Sequence, residues 1–397
     1  MMVAGERSGD VYGARLATAL KQRLPEVEVF GCGGEAMRQA GVETTVDARQ
    51  FAMVGITEVL SGLPRAYRAF HELLDEADRR RPQLAVLIDS PSLNIRVAKR
   101  LKRRAITVAY FVSPQIWAWK RWRLGQLKAR IDKMLCIFDF EEAIYKRAGI
   151  PVEYVGHPLV DRVHSSLTRE AFFAQAGLDP GTPTVALLPG SREIELSLIL
   201  PKMLEAATQL ARARRVQFVI AVAPTIDRLR IERELREDYA ARAKRATIRT
   251  IAGATYGALR HSDVAVVASG TATVEAALLE RPMVVVYRVA PLTGFLARFM
   301  VSVPHYSMVN LLAGKAVVPE LIQGDFTADK VAEQVGYLLD HAEARETMKA
   351  DLRTLKSHLG PGGAIERAAD AVVRMIEPSR ASVSASFFES TAGTGYN

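Results

Sequence analysis

The fold is decided by a stretch that reads Leu84-Ala85-Val86-Leu87-Ile88-Asp89-Ser90-Pro91. Its first five residues are all apolar, which predicts a strand buried on both faces, as strands of parallel sheets are. Ser90 and Pro91 then end the strand, and a helical pattern follows. A strand, a turn and a helix in direct succession predict one β/α unit of a parallel sheet.

The same pattern repeats toward both ends of the 397-residue chain. Helical patterns, such as Ile226–Lys244 and Thr271–Leu279, lie between short apolar runs. We predict further strands at Val27–Phe30, Thr107–Phe111, Lys133–Ile137, Val152–Val155, Val185–Leu188, Gln217–Val222, Thr247–Ile251, Val264–Ala268 and Met283–Tyr287. This alternation predicts an α/β protein with two Rossmann-like domains, each a doubly wound parallel sheet.

The sequence also suggests where the domains begin and end. We expect the first Rossmann-like domain at residues 1–165 and the second at 166–358, because a break at Pro158 separates two complete β/α sets. A C-terminal helix is expected within 359–377, after the glycine-rich break at 360–363. Residues 378–397 are rich in Ser, Thr, Ala and Gly and are expected to be disordered.

Positive charge is concentrated in one stretch of the chain. The formal net charge is +9, and Lys and Arg recur from Arg96 to Arg130 without one Asp or Glu. A polyanion, an anionic membrane or a phosphorylated substrate would each suit this stretch. All three tryptophans alternate there with cations, in the order Trp117, Trp119, Lys120, Arg121, Trp122, Arg123. We interpret this segment as a membrane or acceptor contact, the alternative being a helix with its tryptophans in the core.

Other features bear on the compartment and on cofactors. No apolar run approaches the roughly 20 residues that span a bilayer, and the first residues lack the pattern of a signal peptide. Cys32 and Cys136 form neither a disulfide framework nor a zinc cluster. The sequence has no Asp-x-Asp motif of the kind that holds a metal and a diphosphate. We therefore expect a cytoplasmic protein without a metal cofactor.

Two motifs of the first half follow predicted strands. In the first, Ser8 and Gly9 stand between a strand and a helix, where backbone N–H groups can face a sugar or an anion. The alternative is that Ser8 or Asp10 simply caps the helix. In the second, Asp89 ends the strand Leu84–Ile88, where a carboxylate could accept a proton from an attacking hydroxyl. Here too, capping of the next helix is the alternative.

Two motifs of the second half have the composition of phosphate-binding turns. Gly190, Ser191 and Arg192 follow a strand, and together they offer close backbone approach, hydrogen-bond donors and a positive charge. A plain strand-to-helix turn is the alternative. The second turn contributes Ser269, Gly270 and Thr271, with Glu275 one helical turn further on. Glu275 is a candidate for binding ribose hydroxyls, or else a solvated surface charge.

Two further residues are candidates with open alternatives. His157 stands near the join of the two domains, where it could contact substrate or make a structural hydrogen bond. Asn310 lies in the loop 302–314 and could either bind a ligand or cap the helix that follows.

These motifs in this order resemble the lipid-A-disaccharide synthase family, over roughly residues 1–375. The resemblance rests on Val-Ala-Gly-Glu-x-Ser-Gly-Asp at 3–10, Met-Val-Gly-Ile-x-Glu-Val-Leu at 53–60, Val-Ser-Pro-Gln-x-Trp-Ala-Trp at 112–119, Gly-His at 156–157, Leu-Leu-Pro-Gly-Ser-Arg at 187–192, Ser-Gly-Thr-Ala-Thr-x-Glu at 269–275 and Asn-Leu-Leu-Ala-Gly at 310–314. Ser92 replaces a second carboxylate common in the family, which concentrates the role of base on Asp89.

The resemblance implies a GT-B glycosyltransferase, in which two Rossmann-like domains enclose a cleft. Such an enzyme joins UDP-2,3-diacylglucosamine to 2,3-diacylglucosamine 1-phosphate, with inversion and without a metal, and releases UDP. The first domain would face the acceptor and the membrane, with Asp89 as the base, and the second would bind UDP. The resemblance places Arg192, Ser269–Thr271, Glu275 and Asn310 in the site. It also implies acylated glucosamine lipids as substrates, peripheral binding to the inner membrane and a possible homodimer.

Two rival functions fit parts of the sequence. A UDP-sugar epimerase also uses two such domains, but it would not need the membrane segment Trp117–Arg123. A nucleic-acid-binding protein would use the basic stretch Arg96–Arg130, but the phosphate-type turns of the second half would then have no role. We therefore expect a glycosyltransferase that has no nucleic-acid partner.

Overall fold

A computed structural model describes residues 1–51, 56–114, 123–236, 246–289 and 305–376 of the chain, with only the backbone described at 56–61. It divides into two compact units. Met1–Pro158 and residues 359–376 form the first unit, and Leu159–His358 forms the second. The division at Pro158 precedes the expected boundary at residue 165, and the C-terminal helix belongs to the first unit.

The first unit is built on a parallel sheet. Within its described residues, seven strands pair in the order β3-β2-β1-β4-β5-β6-β7. Their bounds are β1 Met2–Ala4, β2 Phe30–Gly33, β3 Glu43–Asp47, β4 Leu84–Ile88, β5 Thr107–Phe111, β6 Lys133–Cys136 and β7 Val152–Tyr154. All five residues of β4 are buried, as their unbroken apolar character predicts.

Helices connect the strands of this first sheet. They are α1 Arg7–Arg23, α2 Glu35–Gln39, α3 Ile56–Arg80, α4 Pro91–Lys102, α5 Leu124–Lys128 and α6 Asp139–Arg147, with a 3₁₀ turn at Ala48–Gln50. The C-terminal helix, at residues 364–376, contacts the same unit. Arg374 pairs with Glu153 of β7 at 2.6 Å, and Arg23 of α1 pairs with Asp370 at 2.6 Å.

The second unit repeats this plan with a parallel sheet of its own. In the part that the structure describes, six strands pair in the order β10-β9-β8-β11-β12-β13. These are β8 Thr184–Leu188, β9 Gln217–Val222, β10 Thr247–Ala252, β11 Val264–Ala268, β12 Met283–Tyr287 and β13 Glu320–Ile322. The accompanying helices are α7 Arg169–Ala176, α8 Glu193–Ala213, α9 Arg228–Glu234, α10 Thr255–His261, α11 Thr271–Leu278, α12 Met308–Ala313, α13 Ala328–Asp340 and α14 Ala342–His358.

Strand order creates one switch point in each sheet. In the first sheet the chain runs outward in opposite directions from β1 and β4, and in the second from β8 and β11. At such a switch point, the turns that leave two neighbouring strands diverge and open a crevice at the carboxyl ends. Ser8, at the start of α1, and the turns that contain Asp89, Arg192 and Gly270 follow these four strands. Each pair of predicted motifs therefore lies at a switch point.

Several elements differ from the sequence prediction. The strand expected at Val27–Phe30 starts three residues later, as β2 at Phe30–Gly33, and the edge strands β3 and β13 were not predicted. The helix expected at Ile226–Lys244 is described as α9, and residues 237–245 lie outside the described residues. The expected disordered tail, 378–397, lies outside them too.

Candidate active site

The first switch point brings Ser8 to Asp89. The Ser8 hydroxyl, in the first turn of α1, donates a hydrogen bond to Asp89 Oδ2 at 3.2 Å. Ser8 therefore does not cap α1, since it lies inside the helix. Asp10 does not cap α1 either, because its carboxylate accepts hydrogen bonds at 2.7–3.1 Å from the backbone N–H groups at the start of α2.

Small residues allow the start of α1 to approach the turn after β4. A Cβ atom on Gly5 would lie 2.8 Å from Leu93 Cδ2, and one on Gly9 would lie 3.3 Å from the Ile88 carbonyl oxygen. Larger side chains would therefore push α1 away from Asp89. Gly9, a candidate from the sequence, thus acts through its lack of a side chain.

The backbone at Asp89 is held in an unusual conformation. Asp89 and Ser90 have φ angles of +52° and +43°, in the left-handed region that is unfavourable for residues other than glycine. The Asp89 carbonyl oxygen accepts hydrogen bonds from Asn94 Nδ2 at 2.8 Å and from the Tyr110 hydroxyl at 2.5 Å. Asn94 also donates to the Ile88 carbonyl oxygen at 3.0 Å. These bonds fix the turn, and sequence reasoning missed both donors.

Asp89 has the electrostatics of a general base. Burial, together with the negative charge of Glu6, raises the pKa of its carboxyl from 3.8 to about 6. Hydrogen bonds from Ser8 and from the Ser90 backbone oppose this rise. Helix α4 starts at Pro91, with Ser90 as its N-cap, so the helix-capping alternative for Asp89 is wrong. A carboxylate with this pKa is ionised at neutral pH yet more basic than usual.

The turn after β8 presents a cation and backbone donors. Gly190 has a φ angle of +121°, and Arg192 directly precedes the long helix α8. The Arg192 side chain is 53% exposed, and its Nη1 atom lies 3.5 Å from Glu195 Oε1. The Ser191 N–H donates to Glu195 Oε2 at 3.1 Å. Glu195, the third residue of α8, thus reaches back to the backbone of the turn, as Glu commonly does at helix starts.

The turn after β11 is open at its glycine. Gly270 has a φ angle of +152° and precedes α11, and a Cβ atom placed on it would meet nothing within 4 Å in the described residues. The Ser269 hydroxyl donates to the Tyr306 carbonyl oxygen at 3.2 Å. The N–H groups of Thr271 and its neighbours lie at the start of this helix, where an anion is stabilised.

Glu275 is not a solvated surface charge. It is half-buried on α11 and accepts a hydrogen bond from the Tyr256 hydroxyl at 3.0 Å. Burial raises the pKa of Glu275, while Tyr256 and the positive charge of Arg162 lower it. The carboxylate can accept further hydrogen bonds from ligand hydroxyls.

Asn310 has a structural role. It is 1% exposed, and its Nδ2 donates to the Val318 carbonyl oxygen and to Glu320 Oε1, both at 2.8 Å. Its Oδ1 accepts from the backbone N–H groups of Val317 and Val318 at 2.7 and 2.9 Å. Both amide hydrogens are therefore used within the protein. Ser307, not Asn310, is the N-cap of α12.

His157 lies in the core of the first unit. Its ring is 5.4 Å from that of Phe138, and burial lowers its pKa to about 4. The imidazole is therefore neutral at physiological pH, and its backbone N–H donates to the Leu359 carbonyl oxygen at 2.9 Å. These observations favour the structural alternative.

The proposed membrane segment is described only in part. Trp117, Trp119, Lys120, Arg121 and Trp122 lie outside the described residues, and Arg123 directly precedes α5. The basic stretch around them is partly neutralised by residues from elsewhere in the first unit. Lys102 pairs with Asp132 and Arg104 with Asp78, each at 2.6 Å.

The described residues contain neither a metal-binding cluster nor a helix able to cross a membrane. The described ranges contain no group of three or more His, Cys, Asp or Glu residues arranged to hold a metal ion. None of the helices within those ranges combines the length and the hydrophobicity that a bilayer crossing requires.

Comparison with known proteins identifies close relatives of this chain. The profile of the family described as lipid-A-disaccharide synthetase matches residues 1–372. Lipid-A-disaccharide synthase of Myxococcus xanthus is 44% identical over 383 residues, which cover 96% of this chain and 98% of the relative. The enzyme of the same name from Solibacter usitatus is 42% identical, and the match covers 95% and 97% of the two chains.

Solved structures share the fold at much lower sequence identity. UDP-GlcNAc 2-epimerase from Neisseria meningitidis has a TM-score of 0.62 at 12% identity, over 94% of this chain and 99% of that one. MurG from Acinetobacter baumannii has a TM-score of 0.56 at 14% identity, over 94% and 98%. These likenesses confirm the predicted GT-B fold but do not separate a transferase from an epimerase. The relatives found by sequence do separate a transferase from an epimerase, because they are lipid-A-disaccharide synthases. They favour neither rival function.

Proposed function

The chain belongs to the lipid-A-disaccharide synthase family, and on that premise we propose how its two units divide the chemistry of one glycosyl transfer. The protein is a glycosyltransferase of lipid A disaccharide synthesis. We propose that it joins UDP-2,3-diacylglucosamine to 2,3-diacylglucosamine 1-phosphate in a single displacement. The products are UDP and the β-1′,6-linked disaccharide 1-phosphate, with inversion at the anomeric carbon.

Asp89 is the proposed base of this reaction. The acceptor 6-hydroxyl attacks the anomeric carbon of the donor, and Asp89 takes the proton of that hydroxyl as the new bond forms. A pKa near 6 suits this role, because the carboxylate is ionised at neutral pH and still basic enough to drive the transfer. Ser8 would orient the carboxylate through its hydrogen bond to Oδ2.

The second unit is proposed to bind UDP and to stabilise its charge as it leaves. Arg192 and the Ser191 N–H would bind the diphosphate from one side of the switch point. The start of α11, after Gly270, would bind it from the other side. Glu275 would accept hydrogen bonds from the ribose hydroxyls. We propose that these groups, rather than a metal ion, carry the charge of the leaving group.

The proposed function also includes contact with a membrane and assembly into a homodimer. Acylated glucosamine lipids lie in a bilayer, so the enzyme has to reach the inner-membrane surface from the cytoplasmic side. Arg96, Lys99, Arg100 and Arg103 are exposed on α4 and its end, and the tryptophan-rich segment follows in sequence. We propose that these parts bind the anionic surface peripherally. A homodimer is a further proposal, which rests on the family alone.

One observation supports this assignment above the others. Four motifs chosen from the sequence lie at the two switch points of two separate sheets, where open α/β sheets bind ligands. Release of UDP from UDP-2,3-diacylglucosamine tests the proposal. We expect release only in the presence of the acylated monosaccharide 1-phosphate. Equal release without the acceptor, or epimerisation of the donor, would contradict it.

A further inference from the structure

The turn after β8 contains a negative charge supplied by the protein itself. Glu195, in the first turn of α8, accepts the Ser191 N–H hydrogen bond at 3.1 Å through Oε2. Its Oε1 atom lies 3.5 Å from Arg192 Nη1. Two donors of the proposed diphosphate site are thus already engaged by one carboxylate.

Glu195 also covers the backbone of the turn. A Cβ atom on Gly190 would lie 2.6 Å from Glu195 Oε2 and 2.9 Å from Glu195 Cβ, so only glycine leaves room for this side chain. The Glu195 side chain is 17% exposed, whereas that of Arg192 is 53% exposed. The carboxylate is therefore packed against the turn, while the guanidinium remains accessible to a ligand.

From this geometry we propose that Glu195 competes with the donor diphosphate for the Ser191 N–H and for Arg192. The inference rests on the proposed function. A backbone N–H has one hydrogen, so a phosphate oxygen can bind Ser191 only when Glu195 releases it. Two anions beside one guanidinium also repel each other. Glu195 therefore contacts the Ser191 N–H and Arg192 in the free protein, and it releases both when UDP or the UDP-sugar binds.

This competition makes Glu195 a determinant of ligand specificity. A diphosphate carries enough charge to displace the carboxylate from Arg192, because charge-assisted hydrogen bonds to phosphate are strong. Uridine has no phosphate and gains nothing from the turn. Glu195 should thus weaken the binding of UDP without affecting the binding of uridine.

The chain offers a matched control for a test of this role. Glu193 lies in the same helical turn and carries the same charge, but its carboxylate pairs with Arg230. Glu193→Gln therefore reproduces the change in net charge near the site without touching the Ser191–Arg192 turn. Glu195→Gln keeps the shape of the side chain and an oxygen that can still accept the Ser191 N–H, so the fold should be retained.

Calorimetric titration of the full chain with UDP and with uridine is the decisive experiment. We expect Glu195→Gln to bind UDP about 5- to 30-fold more tightly than the parent, as for removal of a competing charge-assisted contact. Glu193→Gln should change the affinity less than about 2-fold, since exposed charges act weakly at a distance. Neither substitution should change the affinity for uridine. Glu195→Ala, a second variant, should tighten UDP binding at least as much as Glu195→Gln.

Two outcomes would overturn the inference. Weaker UDP binding by folded Glu195→Gln and Glu195→Ala would make Glu195 a positioning residue that the bound state needs. Equal tightening by Glu193→Gln would reduce the effect to net charge. Failure of the proposed UDP site gives a different result, because the parent itself would then bind no UDP.

Discussion

Replacement of Asp89 by Asn separates its role in catalysis from its effect on stability. The variant keeps the shape of the side chain and can still accept the Ser8 hydrogen bond, but it cannot accept a proton. We expect kcat to fall by about 10²- to 10⁴-fold, the usual contribution of a general base. In the parent, kcat/KM should fall below about pH 6, because the carboxylate becomes protonated there.

The same substitution should stabilise the folded protein. The protein raises the pKa of Asp89 from 3.8 to about 6, so the folded state binds this proton more tightly than the unfolded chain does. The contribution of Asp89 to stability is therefore most favourable below pH 3.8 and is lost as the pH rises to 6. A shift of roughly two pH units corresponds to about 3 kcal/mol. Because Asn carries no charge, Asp89→Asn should raise the free energy of unfolding by up to about 3 kcal/mol at pH 8, and by about half of that at pH 5.

Urea unfolding followed by tryptophan fluorescence can measure this effect. All three tryptophans fall within the sequence span of the first unit, which also contains Asp89. Unfolding of parent and variant should be compared at pH 5 and pH 8, and turnover measured on the same preparations. A folded Asp89→Asn protein with near-normal kcat would remove Asp89 from the role of base. A variant that is no more stable than the parent at pH 8 would refute the argument from desolvation.

Three further variants test the UDP site, the positioning of the base and the membrane contact. Arg192→Ala should weaken UDP binding by about 1.5–3 kcal/mol in calorimetry, as for a lost charge-assisted hydrogen bond, and unchanged affinity would refute its assignment. Tyr110→Phe removes one of the donors to the Asp89 carbonyl oxygen, so it should destabilise the first unit by about 0.5–1.5 kcal/mol in urea unfolding and lower kcat more than it raises KM. An unchanged kcat would mean that the bond does not position the base. Replacing the three cations of the membrane segment by Ser should reduce sedimentation with anionic vesicles and leave UDP affinity unchanged; these cations are Lys120, Arg121 and Arg123. Sedimentation like that of the parent would place the membrane contact elsewhere.

The central strands and the edge strands β7 and β10 could be predicted from the sequence, whereas the edge strands β3 and β13 could not. Leu84–Ile88 and Val264–Ala268 form as predicted because each is a continuous apolar run, buried along its whole length. The edge strand β3 is mostly polar and half-exposed, so it lacks that signal. The predicted position of β2 was three residues too early, because Gly31 looks like a turn residue. In the structure, Gly31 is a close-contact position, since a Cβ atom there would lie 2.0 Å from the Met2 carbonyl oxygen.

The positions of the site motifs could be predicted, but their partners could not. Asp89 and Arg192 follow strongly predicted strands, and the ends of parallel strands are the ligand edge of such a sheet. Tyr110 reaches Asp89 from a neighbouring strand, and its sequence signal is only a tyrosine in an apolar run. Glu320, which binds Asn310, lies on an edge strand that gave no signal. Long-range contacts of this kind depend on strand order, which local sequence patterns do not specify.

Product analysis by mass spectrometry tests the central claim most directly. The parent protein should be incubated with UDP-2,3-diacylglucosamine and 2,3-diacylglucosamine 1-phosphate, beside Asp89→Asn at the same concentration. We expect the parent to form disaccharide 1-phosphate and UDP in equal amounts, and the variant to form at least about 100-fold less of both. Absence of the disaccharide with folded parent protein, or its formation at equal rates by both proteins, would contradict the account.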